Sequence, residues 1–272
     1  MDPDIVSRDF ASVTLKAIVF LAVGLVLFGW LLNTPPGLLG KADAIGYAVC
    51  HRIDLRSFHL GDRPLPLCAR CSGMYLGAML GLAYQAWRAP RRSGMPPRPI
   101  LVVLGIFVIA FAMDGINSFL SIFPSWVSVY TPQNWLRLAT GTGMGLAIAV
   151  VLFPAFHQAV WQVEDRRPAV NSLGSFLGLV ILAILLDLLL LSRIPAILYP
   201  LALISAAGVL VLLTMVYTMI WLMVFRRENS YQSLKQLSLA LVAGFGVALI
   251  QIALLDAIRF ILTGSWEGFH FG

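Results

Sequence analysis

Cys50-His51-Arg52, Arg56-Ser57-Phe58-His59 and Pro66-Leu67-Cys68-Ala69-Arg70-Cys71-Ser72-Gly73 crowd thiol, imidazole and guanidinium groups into one short stretch. All three cysteines and two of the four histidines lie here. Cys68 and Cys71, two residues apart at the expected start of a helix, have two chemical meanings. The first is half a metal site, with Gly73 following as in many metal knuckles. Cys50 is then the third ligand and His51 the candidate fourth, with His59 and Asp114 as alternatives. Zinc suits the set, because its structural sites take four Cys or His ligands and its catalytic sites keep a place for water. The arginines nearby favour the deprotonated thiols that metal binding requires. Cys50 and His51 are adjacent, so binding one ion through both would strain the backbone.

The second meaning is redox. A Cys-x-x-Cys pair at a helix amino terminus has a depressed thiol pKa and exchanges with disulfides. Cys50 would be the shuttle or resolving thiol, and a membrane quinone would take the electrons. No helix carries an unmistakable quinone signature. A plain disulfide between Cys50 and one of the pair would leave an odd thiol. The order of preference is metal, redox, plain disulfide.

Arginine is suited to bidentate recognition of phosphate or carboxylate. Arg52, Arg56, Arg70 and Asn134 are therefore candidate substrate-binding residues, for an anionic lipid or lipid-linked phosphate. A metal beside them would polarise a phosphoryl or carbonyl oxygen and generate hydroxide. Asp114 is the candidate catalytic base, with Arg137 beside it. The competing reading of Asp114 and Arg137 is a buried ion pair that orders the bundle. His157 and His270 lie outside the cluster and read as surface residues.

The rest of the chain must position these groups, and it is apolar. The 272 residues are 59% hydrophobic and 12% charged, with a mean hydropathy of +0.86. A soluble chain is about a quarter charged, and a helix crosses the hydrocarbon layer with about 20 apolar residues. Runs of that kind cover about Val13–Leu32, Ala69–Trp87, Ile100–Ile122, Asn134–Phe156, Ser172–Leu191, from Pro195 to Phe225, and Gln236–Leu262. This predicts an all-α integral membrane bundle of about seven transmembrane helices, a single domain over residues 1–272. The first run lacks a small-residue cleavage site and reads as a retained helix. The formal net charge of +6 reflects basic cytoplasmic loops and implies no nucleic-acid partner.

Arg and Lys near helix ends favour the cytoplasmic side. Arg8, Lys16, Arg88, Arg91, Arg92, Arg98, Arg166, Arg167, Arg226, Arg227 and Lys235 gather there when the amino terminus is cytoplasmic. The stretch 33–68 then becomes an extracytoplasmic loop at the cell membrane, with Lys41, Arg52, Arg56, Arg63 and Arg70 on the unfavoured side. Asp114, Asn117, Asn134, Arg137, Asp187, Asp256 and Arg259 fall at nearly the same depth, which reads as one outward-opening polar cavity. Gly73, Gly77 and Gly81, and Gly141 with Gly145, form small-residue stripes that permit close helix packing.

The motif residues, through Met74-Tyr75-Leu76-Gly77, resemble the signature of a family of predicted prokaryotic membrane proteins catalogued as a domain of unknown function. Asp114-Gly115 and the set Asn134, Arg137, Thr140 and Gly141 match that family's further elements. The resemblance spans residues 45–145 and leaves three additional helices over 172–263. It implies one common site and no activity. A non-enzymatic membrane-complex subunit or transporter, with the metal knuckle fixing the loop, is the third class of function.

Overall fold

Apolar runs in lipid satisfy their own backbone polar groups only as helices, and a helix forms the body of each run among the described residues. The computed structural model describes residues 3–121, 129–163 and 165–268. Ile122 and His270 from the expectations above lie outside them. The long helices are α1 (Pro3–Asn33), α3 (Ala69–Arg88), α4 (Arg98–Leu120), α5 (Asn134–Val160), α6 (Leu173–Leu191), α7 (Pro195–Val224) and α8 (Leu234–Thr263), with a short α2 (Gly37–Val49) between the first two. Six of them, all the long ones but α3, are long and apolar enough to cross a membrane. The protein is an all-α membrane bundle.

Helix α3 differs because it faces protein. Its 20 residues include Arg70, Ser72, Gln85 and three glycines at fourth-residue spacing, and Ala69, Gly73, Gly77, Ala78 and Gly81 are buried. It packs most extensively on α5, where the two glycine stripes face each other. A Cβ at Gly141 would stand 2.2 Å from the carbonyl oxygen of Arg70. The backbones therefore meet at the residue that carries the site's guanidinium.

The stretch 33–68 was expected to be loop, and α2 corrects that. Its 13 residues fall well short of a membrane span, so a reading by apolar length passes over it. It forms because Ala42, Ala44, Ile45 and Tyr47 find a core: all are buried, and α2 packs on α7 and α8. A 3₁₀ turn (Asp54–Arg56) and a two-stranded hairpin, β1 (His59–Leu60) against β2 (Arg63–Pro64), complete the stretch. At the opposite end of the bundle, β3 (Arg92–Gly94) pairs with β4 (Asp165–Pro168), and Trp161 bridges to Tyr231. His157 is not a surface residue: it is half-buried, edge-to-face with Phe153 and stacked on Trp161, and its Nδ1 accepts the Trp161 indole N–H at 2.6 Å.

Candidate functional site

Two helix ends bring the cysteines together. Cys50 closes the carboxyl end of α2, Cys68 caps the amino end of α3, and Cys71 follows in its first turn. The three Sγ atoms lie within 4.8 Å of one another. Cys50 and Cys68 are buried, Cys71 is half-buried, and none is in a disulfide. The backbone N–H of Cys68 donates to the Cys50 sulfur at 3.3 Å. Hydrogen bonds from the Cys68 and Cys71 thiols and from that amide hold the Cys50 thiol well below its ordinary pKa, against the effect of burial. The approach of α2 depends on Gly46, where a Cβ would stand 1.9 Å from the carbonyl oxygen of Pro66.

His51 does not join the sulfurs. Its Nδ1 accepts the backbone N–H of Ile53 at 3.0 Å, and among the described residues the metal-ligating group consists of the three cysteines. His59 pairs with Asp54 at 2.9 Å. Asp114 is also committed elsewhere, as described below.

Helix α8 holds the Cys50 loop in place. Arg259 donates to the carbonyls of Tyr47 and Cys50 at 2.6 Å each and to that of His51 at 3.3 Å, with its guanidinium 4.0 Å above the Tyr47 ring. Hydrogen bonds to a charged group contribute about 1.5–3 kcal/mol each. Replacing Arg259 with Gln is expected to speed maleimide labelling of Cys50 in the folded protein by at least about ten-fold. An unchanged labelling rate would place the holding force elsewhere.

A second cluster is built around Ser118, near the end of α4. The Nη2 of Arg70 donates to the Ser118 hydroxyl at 2.9 Å, Nε of Arg137 to the same oxygen at 3.4 Å, and Nη2 of Arg56 to the Ser118 carbonyl at 2.9 Å. Three guanidinium groups thus meet at one serine. Asp114 is 1% exposed and receives Arg70 Nε at 3.0 Å and the Tyr130 hydroxyl at 2.9 Å. Burial, and then the bond to Asp114, push the Tyr130 phenol above its ordinary pKa, which keeps it a donor. Both carboxylate oxygens are therefore occupied, and the geometry favours the ion pair over a base. Asp114 pairs with Arg70, not with Arg137.

Asn134 accepts from Arg137 Nη1 at 2.7 Å and donates to the Leu55 carbonyl at 3.2 Å, tying α5 to the cysteine loop. Burial and the neighbouring Arg70 guanidinium lower the pKa of Arg56, while Cys68 and Asp114 raise it, so the arginines and the thiols share one electrostatic neighbourhood. Arg52 lies apart, bonded to Asp43 at 3.0 Å and to the Trp266 carbonyl at 3.0 Å.

The remaining polar residues are divided and do not pool in one cavity. Asp187 accepts the Thr142 hydroxyl at 2.6 Å beside an apolar cavity between α4, α5 and α6. Asp256 accepts the Trp30 indole N–H at 3.1 Å between α1 and α8. Sequence reasoning missed Ser118 and Tyr130 as members of the arginine cluster, since a lone serine and a loop tyrosine carry no signal. Arg259 carried one, a guanidinium in an apolar helix, but nothing tied it to Cys50.

A family profile described as "Predicted membrane protein (DUF2085)" matches residues 50–151. The match includes every member of the sulfur and arginine clusters and leaves out α6, α7 and α8. An uncharacterized protein of Methanothermobacter thermautotrophicus is 31% identical over 103 residues, which are 38% of this chain and 83% of the relative. An uncharacterized protein of Methanocaldococcus jannaschii is 24% identical over 119 residues, 44% of this chain and 70% of the relative. No solved structure matches the chain.

Proposed function

The chain belongs to this family of predicted membrane proteins, DUF2085, and on that premise we propose that it is a membrane metal protein whose three-thiolate centre serves an anionic, phosphate-bearing ligand. The observation that carries the reading is the convergence of three sulfurs within 4.8 Å of one another. Tetrahedral zinc–sulfur bonds of about 2.3 Å put sulfurs about 3.8 Å apart, so small side-chain movements bring Cys50, Cys68 and Cys71 onto one ion. The Cys68 amide and the two neighbouring thiols stabilise the Cys50 thiolate, which is the ligating form. With His51 bonded to its own loop, the fourth position is left to solvent or ligand, as in a catalytic zinc site. A bound zinc would supply Lewis acidity toward a phosphoryl oxygen.

The chain's own residues do the rest. Arg56, Arg70 and Arg137 bind the anion, Asp114 and Tyr130 orient Arg70, and Asn134 orients Arg137. The distribution of Arg and Lys between helix ends supports an extracytoplasmic position for this site.

Three free thiols at this range also support the alternative, thiol–disulfide exchange with a quinone acceptor. Elemental analysis of the purified protein, paired with thiol counting under denaturing, non-reducing conditions, separates the two. The expected result is about one metal per chain with all three thiols countable, and loss of the metal in Cys71→Ser. No metal with about one countable thiol would overturn the proposal in favour of the redox reading.

A further inference from the structure

Three arginines and one aspartate do not balance. Arg56, Arg70 and Arg137 all bond to Ser118, and Asp114 is the one carboxylate bonded to them among the described residues. A guanidinium keeps its proton in a protein, and burying a charge without a partner is costly. Arg137 is only 6% exposed and makes no ion pair among the described residues. The cluster therefore carries two positive charges beyond its carboxylate. Three thiolates on a divalent ion would carry one negative charge and offset only one of them.

A cavity of about 380 Å³ opens directly beside this excess, between the start of α5 and the α6–α7 turn. Arg137 and Asn134 line it from α5, and Arg193 lines it from the turn. Arg193 is exposed and adopts a positive φ of 55°, a conformation that non-glycine residues seldom take. Gln133 adds an amide, and the remaining wall is apolar, with Phe58, Trp135 and Leu191 among its side chains. The cavity lies where α6 ends and where α5 and α7 begin.

We infer that this cavity seats the phosphate headgroup of an amphipathic ligand between Arg137 and Arg193, with its apolar part along Trp135 and Leu191. This deepens the proposed function: it rests on the arginine cluster being an anion site and does not require the metal. Arg193 becomes a binding residue, although it lies outside the stretch matched by the family profile. The ligand's source is either a bilayer lipid or a soluble phosphate ester, and the shared chemistry is a phosphate on an apolar chain.

The test is calorimetric titration of the whole protein, in an uncharged maltoside detergent, with dodecyl phosphate, with inorganic phosphate, and with nanodiscs containing phosphatidic acid. Metal content is measured on the same samples. Dodecyl phosphate is expected to bind saturably, and Arg193→Gln to weaken it about ten-fold or more, the loss of one charge-assisted contact. Binding to nanodiscs as well identifies a lipid source, and binding to dodecyl phosphate alone a soluble one. Equal binding in wild type and Arg193→Gln overturns the inference, as does inorganic phosphate binding as tightly as the dodecyl ester. Binding that survives in metal-free Cys71→Ser protein supports the seat. Wild-type protein that binds but contains no metal sinks the metal reading and leaves the seat standing.

Discussion

Replacing Asp114 with alanine should cost the folded protein about 3–5 kcal/mol, the usual penalty for removing one member of a buried ion pair. The reason is the company Asp114 keeps. It is fully buried, bonded to Arg70 and Tyr130, and surrounded by guanidinium groups that meet at Ser118. Without the carboxylate, three positive charges would face each other in a site of low dielectric. The measurement is the temperature at which the protein in detergent ceases to elute as its folded species. Asn at position 114 would be nearly as damaging, since it keeps the shape and removes the charge. Removing Arg70 as well, in the double variant with Gln, should recover part of the loss, because the repulsion falls together with the pair. A wild-type unfolding temperature in Asp114→Ala would contradict the ion-pair assignment.

Gly141→Val should damage the site directly. The added Cβ would stand 2.2 Å from the Arg70 carbonyl oxygen, a backbone atom with no freedom to turn aside, so α3 and α5 must part. Overpacking a tight contact costs about 1–3 kcal/mol, more where backbones collide, and here the collision falls next to the site. Helix α3 carries Cys68 at its cap, Arg70 and Cys71, so even protein that folds should lose metal and anion binding together. Comparing metal per folded chain in Gly141→Val with that in Gly24→Val, where nothing lies within 4 Å of a Cβ, separates this local effect from general damage. Equal metal content in the two variants would show that the site does not depend on the α3–α5 approach.

Much of this architecture was legible because membranes simplify the reading. Apolar length identifies helices directly, and each of the seven long helices coincides with an apolar run. Helix α2 was not legible, since its 13 residues are held by burial against α7 and α8 and not by hydropathy. The cysteines announced themselves by type and spacing, but the identity of their neighbours did not follow. Asp114 and Arg137 look like partners in sequence because both are charges in apolar helices. In the structure Arg70 takes the carboxylate, since the α3–α5 contact at Gly141 sets it opposite Asp114, while Arg137 is taken by Asn134 one turn away. Rotation about a helix axis was not readable from sequence. That is why Asp187 and Asp256 face cavities of their own.

The clamp on Cys50 also has a bearing on when the site matures. Its guanidinium belongs to the last helix, and 209 residues separate Arg259 from Cys50. At synthesis rates of about 5–20 residues per second, the motif is made roughly 10–40 s before the side chain that secures it. During that interval the thiols lack the support of α8, on a timescale comparable to the faster end of disulfide formation. The order of synthesis thus makes α8 the element that completes the support of the cysteine loop.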